Sequence, residues 1–281
     1  MKLKLLIILT FLITLLNSDI TLSEGAGFDT PITMKVNGKY IKTDSEPYLH
    51  KGLTYVPARF ASEALNAESV IWNEKTRTCS IYDGGNEISL TIGKTIAIVN
   101  GKNVKIQGSV MLVDGRTFVP VRFVAETMGA DVVWDKDTYT VDIKKEGVSI
   151  PSHLIGTLPY SDDDIYWLSR IINAESGGES MKGKIAVANT VLNRVESDSF
   201  PDTIYGVIFD RKYGVQYQPT INGAIYQTPL GDSIIAAKRA LSGENVVDES
   251  MYFLNPRLAT NLWIPQNRVF YKTIGNHDFY L

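Results

Sequence analysis

The chain has 281 residues, 44% of them hydrophobic, and a formal net charge of -3, which is apolar material for one large domain or two of ordinary size. That charge balance offers no basic face to phosphates and excludes nucleic acid as the expected partner. A single cysteine, Cys79, excludes a fold stapled by intramolecular disulfides.

At the start of the chain Lys2 and Lys4 precede an apolar run over residues 5–13, extended to Leu15 and Leu16. A short basic segment followed by a short apolar one predicts a secretory signal over residues 1–26, because a spanning helix needs about 20 apolar residues. No small-x-small cleavage site follows at once, so an uncleaved anchor is the competing reading. In both cases the remainder is exported.

Next comes an internal repeat. "LTYVPARFASEALNAESVIW" aligns with "RTFVPVRFVAETMGADVVW", pairing Pro57 with Pro120, Arg59 with Arg122, Phe60 with Phe123 and Glu63 with Glu126. The offset is 120 − 57 = 63, and it falls to 134 − 72 = 62 at Trp72 and Trp134. "VNGK" at residues 36–39 recurs at residues 99–102, so a whole supersecondary unit is duplicated. In each unit a Val-Pro leads into a short helical pattern, Gly129 is a helix stop, "TYTVDI" alternates as a strand, and Asn-Gly marks a hairpin turn. Arg59 and Arg122 are either ligand clamps or partners of the repeated glutamates, and the ion pair is the commoner use of that spacing. Cys79 stands apart from any Cys-x-x-Cys or lipid-attachment pattern and reads as a small buried apolar residue.

The paired "VPxRF…E" and "W" motifs of residues 30–145 resemble the copper amine oxidase N-terminal-like stalk domain of exported Gram-positive proteins. The resemblance implies a spacer or a module that contacts the cell wall or another protein. It does not bring copper, since His50 is the one histidine in the region and no soft-ligand cluster accompanies it. Residues 146–159, "EGVSIPSHLIGTLP", are rich in Pro, Gly and Ser and predict a linker.

Residues 160–281 form the second expected domain. Ser161 is an N-cap candidate with Asp164 three residues later, and acidic residues fill the first turn. Ile165, Leu168 and Ile172 lie at helical spacing, and the same stripe continues to Glu175. A carboxylate on that stripe either ends in solvent or is buried with a raised pKa, as a general acid requires. Gly177 and Gly178 close the helix, and Glu179 follows. Residues 183–195 predict a strongly apolar helix, in which Asn189 and Asn193 share a face and serve either a sugar or neighbouring loops. "SFPDTIYGVIF" predicts a turn into a further short helix.

The ordered series "INAESGGES", "AVANTVLNRV", "FPDTIYGVIF", "VQYQP" and "GNHDFY" resembles the cell-wall hydrolase family of the spore cortex-lytic enzymes (SleB type). The resemblance implies cleavage of peptidoglycan glycan strands without a metal or cofactor, with Glu175 as the catalytic residue. It places Glu179, Gln216, Tyr217, His277 and Tyr280 as substrate-binding candidates, with loop support for Glu179 and packing for the two tyrosines as the alternatives. Glycosidic cleavage usually needs two carboxylates, and Asp198, Asp202 and Asp210 have no distinctive context. A lytic transglycosylase route needs Glu175 alone. The competing classes are a zinc amidase, for which His50, His153 and His277 are scattered along the chain, and a non-catalytic wall-binding protein. The expected fold is α+β with two domains: a duplicated strand-rich module with short helices, then a mainly helical, lysozyme-like domain with short strands. The expected location is secreted, at the cell envelope or spore cortex.

Overall fold

A computed structural model describes Thr30 and residues 32–281. The expected signal over residues 1–26 lies outside the described residues, and no helix among the latter is long and apolar enough to cross a membrane.

The first repeat comprises β1 (Thr33–Val36), β2 (Lys39–Tyr40), β3 (Tyr48–His50), β4 (Leu53–Pro57), α1 (Ala58–Ala64), β5 (Ser69–Asn73) and β6 (Thr78–Asp83). After β7 (Asn86–Thr91) the second comprises β8 (Ile96–Val99), β9 (Lys102–Lys105), β10 (Met111–Val113), β11 (Arg116–Pro120), α2 (Val121–Thr127), β12 (Asp131–Asp135) and β13 (Thr140–Lys144). Both Asn-Gly pairs turn a hairpin as expected, with positive φ at Asn37, Gly38, Asn100 and Gly101. Such paired left-handed residues match the twist of the flanking strands.

The copies interlock. In the central sheet, ordered β10-β11-β4-β3, Val56 faces Val119, and 56 + 63 = 119, so the antiparallel pair β4–β11 is centred on a residue and its own repeat partner, as a local two-fold requires, with Tyr55 facing Pro120 and Pro57 facing Phe118 on either side. Strand β1 of the first copy pairs in parallel with β13 of the second. The hairpin β8–β9 of the second copy reaches β6 of the first through β7. One core results, with Val56, Ala61 and Leu65 packed beside Val119, Val124 and Met128. Cys79 is buried there, as expected, and burial pushes its thiol up to about 11. Arg122 pairs with Glu126 at 3.2 Å on the exposed face of α2, whereas no ion pair joins Arg59 to Glu63 among the described residues.

The segment over residues 146–159 is a docked strap. Val148 and Ile150 pack on the first core and Leu154 is buried within it, while Lys42 N–H donates to the Leu154 carbonyl at 2.8 Å. Its Pro, Gly and Ser content signalled a connection, but its spaced apolar residues give it a stripe to bury.

The rest is helical with one small sheet: α3 (Asp162–Ser176), α4 (Met181–Val195), α5 (Ile204–Phe209), α6 (Pro219–Asn222), α7 (Gly231–Leu241), β14 (Tyr252–Leu254), α8 (Trp263–Asn267), β15 (Phe270–Ile274) and β16 (His277–Tyr280). Strand β16 lies between β14 and β15, antiparallel to both. Ser161 and Asp164 form the expected capping box on α3, a device worth about 1 kcal/mol. Leu168 and Ile172 of α3 bury against Ile185, Ala188 and Val191 of α4 and against Ala236 and Ala237 of α7. This α+β organisation in two parts agrees with the fold class expected from the sequence.

The turn between β12 and β13 touches the helical part twice. Asp137 lies 3.6 Å from the Arg170 guanidinium, and the Tyr139 carbonyl accepts from Lys238 Nζ at 2.8 Å. Lys238 also donates to Thr33 Oγ1 at 2.9 Å, and burial lowers its ammonium to about 7. The Tyr139 hydroxyl occupies the space a Cβ on Gly231 would need, so glycine is what allows α7 to approach this turn.

Candidate active site

The apolar stripe of α3 carries Glu175 to the last turn of the helix, where it is partly buried. Burial pushes its carboxyl from the usual 4.5 up to about 7, because a low-dielectric surrounding penalises the charged form. The carbonyl end of the helix acts in the same sense, since its partial negative charge repels a carboxylate. No hydrogen bond or ion pair among the described residues engages the Glu175 carboxyl. A carboxyl in that state holds its proton near neutrality and has it free to donate.

Tyr217 stands close enough for the Glu175 charge to raise its hydroxyl pKa, although burial is the larger cause. Its ring is 2% exposed and belongs to the helical core. Arg194 from α4 is 6% exposed. Its Nη1 donates to the Tyr217 hydroxyl at 3.3 Å and to Gln216 Oε1 at 3.5 Å, and its Nε donates to the Met251 carbonyl at 2.7 Å. The guanidinium lies 5.3 Å from the Tyr217 ring centroid and 5.4 Å from that of Tyr252. Arg268 lies 4.6 Å from the Tyr252 ring centroid and 4.9 Å from that of Trp263, and its Nη2 donates to the Tyr252 hydroxyl at 3.0 Å. Cation–ring contacts of this kind help hold these side chains in place, and Trp263, at the end of the series, is 47% exposed.

Sequence reasoning singled out none of Arg194, Arg268 and Trp263. The signal for Arg194 is that it follows Val187 and Val191 at helical spacing, on the buried stripe of an apolar helix, where an arginine is rarely found without partners. Arg268 and Trp263 carry no such pattern.

Glu179 belongs to a second cluster. Its carboxylate accepts from Asn276 Nδ2 at 2.7 Å and from Asn276 N–H at 3.3 Å, and it fills the space beside Gly275 where a Cβ would stand. The Asn276 side-chain hydrogen bond is the largest cause holding its pKa below the usual value. Ser180 caps α4 immediately afterwards, so the positive end of that helix also favours the ionised form. His277 follows in β16, 7% exposed, with its pKa lowered by burial and its Nδ1 without a hydrogen-bond partner. Tyr280, 6% exposed, packs edge-on against Phe270 at 5.7 Å.

The sequence candidates therefore fall into two groups, Glu175 with Tyr217 and Gln216, and Glu179 with His277. The two amides of α4 tie down loops: Asn189 donates to the Glu244 carbonyl at 2.8 Å and accepts from Val246 N–H at 2.9 Å. Asn193 donates to the Asp248 and Ser250 carbonyls. Among the described residues no three His, Cys, Asp or Glu side chains gather as a metal cage; His50 lies on β3, His153 in a short turn of helix and His277 on β16.

Two family models match separate stretches of the chain. Residues 35–143 match the family model described as the copper amine oxidase N-terminal domain, and residues 178–280 match the model described as cell wall hydrolase. Glu179 lies inside the second match, and Glu175 three residues before it. The spore cortex-lytic enzyme of Bacillus cereus is 35% identical over 136 residues, 48% of this chain and 49% of that protein. The enzyme of the same name from Halalkalibacterium halodurans is 38% identical over 120 residues, 43% of this chain and 35% of that one. The chain thus spans about half or less of the length of these two relatives. The solved catalytic domain of a germination-specific lytic transglycosylase, SleB, from Bacillus anthracis is 37% identical, with a TM-score of 0.40, over 43% of this chain and 97% of that one.

Proposed function

We propose that this chain, which joins a copper amine oxidase N-terminal-type domain to a cell wall hydrolase domain, is an exported enzyme that cleaves peptidoglycan glycan strands. The bond is that between N-acetylmuramic acid and N-acetylglucosamine, and the route is lytic transglycosylation of spore cortex during germination. We take residues 1–26 as the export signal, 30–145 as a module that contacts the wall or another protein, 146–159 as the connection and 160–281 as the catalytic domain. The names carried by the relatives, spore cortex-lytic enzyme and lytic transglycosylase, support the substrate and the reaction.

The observation that carries the chemistry is the Glu175 carboxyl, raised to about 7 by burial with no neighbouring charge contributing. The protonated acid delivers its proton to the glycosidic oxygen as the bond from that oxygen to the muramyl C1 breaks, leaving an oxocarbenium-like centre. The resulting carboxylate then removes the proton from the muramyl C6 hydroxyl, whose oxygen closes onto C1 as a 1,6-anhydro ring. Glu175 ends as it began, so one carboxyl serves both steps and no water is consumed. Arg194 donates to both Gln216 and the Tyr217 hydroxyl and so fixes the tyrosine near the acid, and Glu179 fixes the β15–β16 turn beside the helix start. Mass spectrometry of digested sacculi tests the route: 1,6-anhydromuramic ends are expected, and reducing muramic ends alone would replace transglycosylation by hydrolysis.

A further inference from the structure

The strand-rich module holds a cavity of about 650 Å³ between the β3–β4 hairpin of the first repeat and the α2, β12 and β13 segment of the second, within the range of about 300–1,000 Å³ usual for small-ligand sites. Leu49 and Leu53 from the β3–β4 hairpin and Val132 and Val141 from β12 and β13 make apolar walls, and Phe123 and Trp134 add two rings. Three cations, Lys105, Arg122 and Lys136, line it against one carboxylate, Glu126, which Arg122 already binds. The lining is therefore +3 − 1 = +2 in a chain whose net charge is -3. Lys136 also meets Asp137 at 3.0 Å, an exposed neighbour contact of the kind that contributes little.

The corresponding positions of the first repeat differ where it matters. Applying the offset of 62 found at the tryptophans, Lys136 corresponds to Glu74 and Tyr139 to Arg77. In the first repeat Glu74 accepts the Trp72 indole N–H at 2.6 Å, which closes that ring off with an acid. In the second repeat a lysine stands there instead, so the same scaffold presents an indole and a cation to a common space.

We infer that this cavity binds a carboxylated acyl-amino sugar, namely a muramyl residue with its stem peptide. The apolar walls and rings would take the methyl and C–H surfaces, and Lys105 and Lys136 the peptide carboxylates. The choice of ligand rests on the proposed action on peptidoglycan; the charge and shape of the cavity do not. The site would anchor the enzyme on the polymer it cuts, at a distance from Glu175. Tyr139 serves both this cavity and the contact with α7, so variants there would mix two effects, and the exposed lysines are the better probes.

The test is calorimetric titration of the full chain carrying Glu175→Gln, with purified disaccharide-tetrapeptide as ligand and uncharged N-acetylglucosamine tetramer as control. Adding Lys136→Glu gives the second repeat the acid of the first. The expected result is saturable binding of the charged ligand that weakens roughly tenfold or more in this double variant, and also with Lys105→Ala. The uncharged tetramer should gain no benefit from either lysine. Unchanged affinity in both lysine variants, with unaltered melting temperature, would overturn the inference, as would equal lysine dependence for the uncharged sugar. If the unsubstituted chain releases no fragments from sacculi but the lysine dependence persists, the proposed cleavage fails and this site stands.

Discussion

Glu175 ends α3 and Glu179 precedes α4, separated only by Ser176, Gly177 and Gly178, and the two ends of this turn treat the same side chain in opposite ways. At the α3 end the carboxyl is partly buried, unpartnered, at the negative pole of a helix, and its pKa is raised to about 7. At the α4 end the carboxylate has two donors from Asn276, lies by the positive pole of a helix, and its pKa is lowered. Residue type alone therefore says nothing about which glutamate does chemistry. The surroundings decide, because protonation near neutrality requires the one setting and a permanent structural anion the other.

The largest effect should come from the α3 end. Glu175→Gln keeps size and polarity and removes the proton, so release of soluble fragments from sacculi should fall by about 10²–10⁴-fold, the usual contribution of a general acid. Its melting temperature should not fall. Full residual activity in this variant would break the comparison at once, since the raised pKa would then have no catalytic use.

A smaller effect, of a different kind, belongs to the α4 end. Glu179→Ala deprives Asn276 of two solvent-exposed hydrogen bonds and should cost about 0.5–1.5 kcal/mol of stability, the net worth of a typical hydrogen bond that water can partly replace. Asn276→Ala removes only the side-chain bond and keeps the backbone N–H one, so it should cost somewhat less, and the double variant hardly more than Glu179→Ala alone. Chemical denaturation of the four proteins measures that coupling. Should Glu179→Gln instead abolish cleavage as thoroughly as Glu175→Gln, with stability intact, both carboxylates would be chemical and the division between them would be lost.

The difference also marks what a sequence can disclose. The position of Glu175 on the apolar stripe was legible because Ile165, Leu168 and Ile172 are local and periodic, but whether that end of the stripe is buried or solvated depends on packing the pattern does not show. The capping box, the Asn-Gly turns and the repeat are local in the same sense. The partner of Glu179 is Asn276, 97 positions away, and no periodicity connects a helix start to a hairpin turn. Arg194 could be suspected from its stripe, but Met251 and Tyr217, which satisfy it, come from other segments. The docked strap and the Lys238 contact with Thr33 are invisible for the same reason: one is hidden by loop-like composition, the other by a separation of 205 residues.

The most direct measure of the two settings is the pH dependence of stability. Between about pH 4.5 and about 7 the folded chain keeps a proton on Glu175 that the unfolded chain has shed, so this residue makes stability fall as pH rises, and its full cost is present above about 7. Glu179 works the other way. Its folded pKa lies below the ordinary 4.5, so its contribution is complete above that value and is lost as pH falls through the lowered one. Glu175→Gln should therefore be no more stable than the unsubstituted chain near pH 4, yet more stable near pH 8, by about 1–2 kcal/mol once the partial exposure of the group is allowed for. Glu179→Gln should be the less stable form near pH 7, with the gap closing as pH falls below the ordinary carboxylate range. Thermal melts of the three proteins across this range give two curves of opposite slope if the settings are as described. Parallel curves would mean that the two carboxylates share one environment, and the reason for assigning the acid to Glu175 would go with that difference.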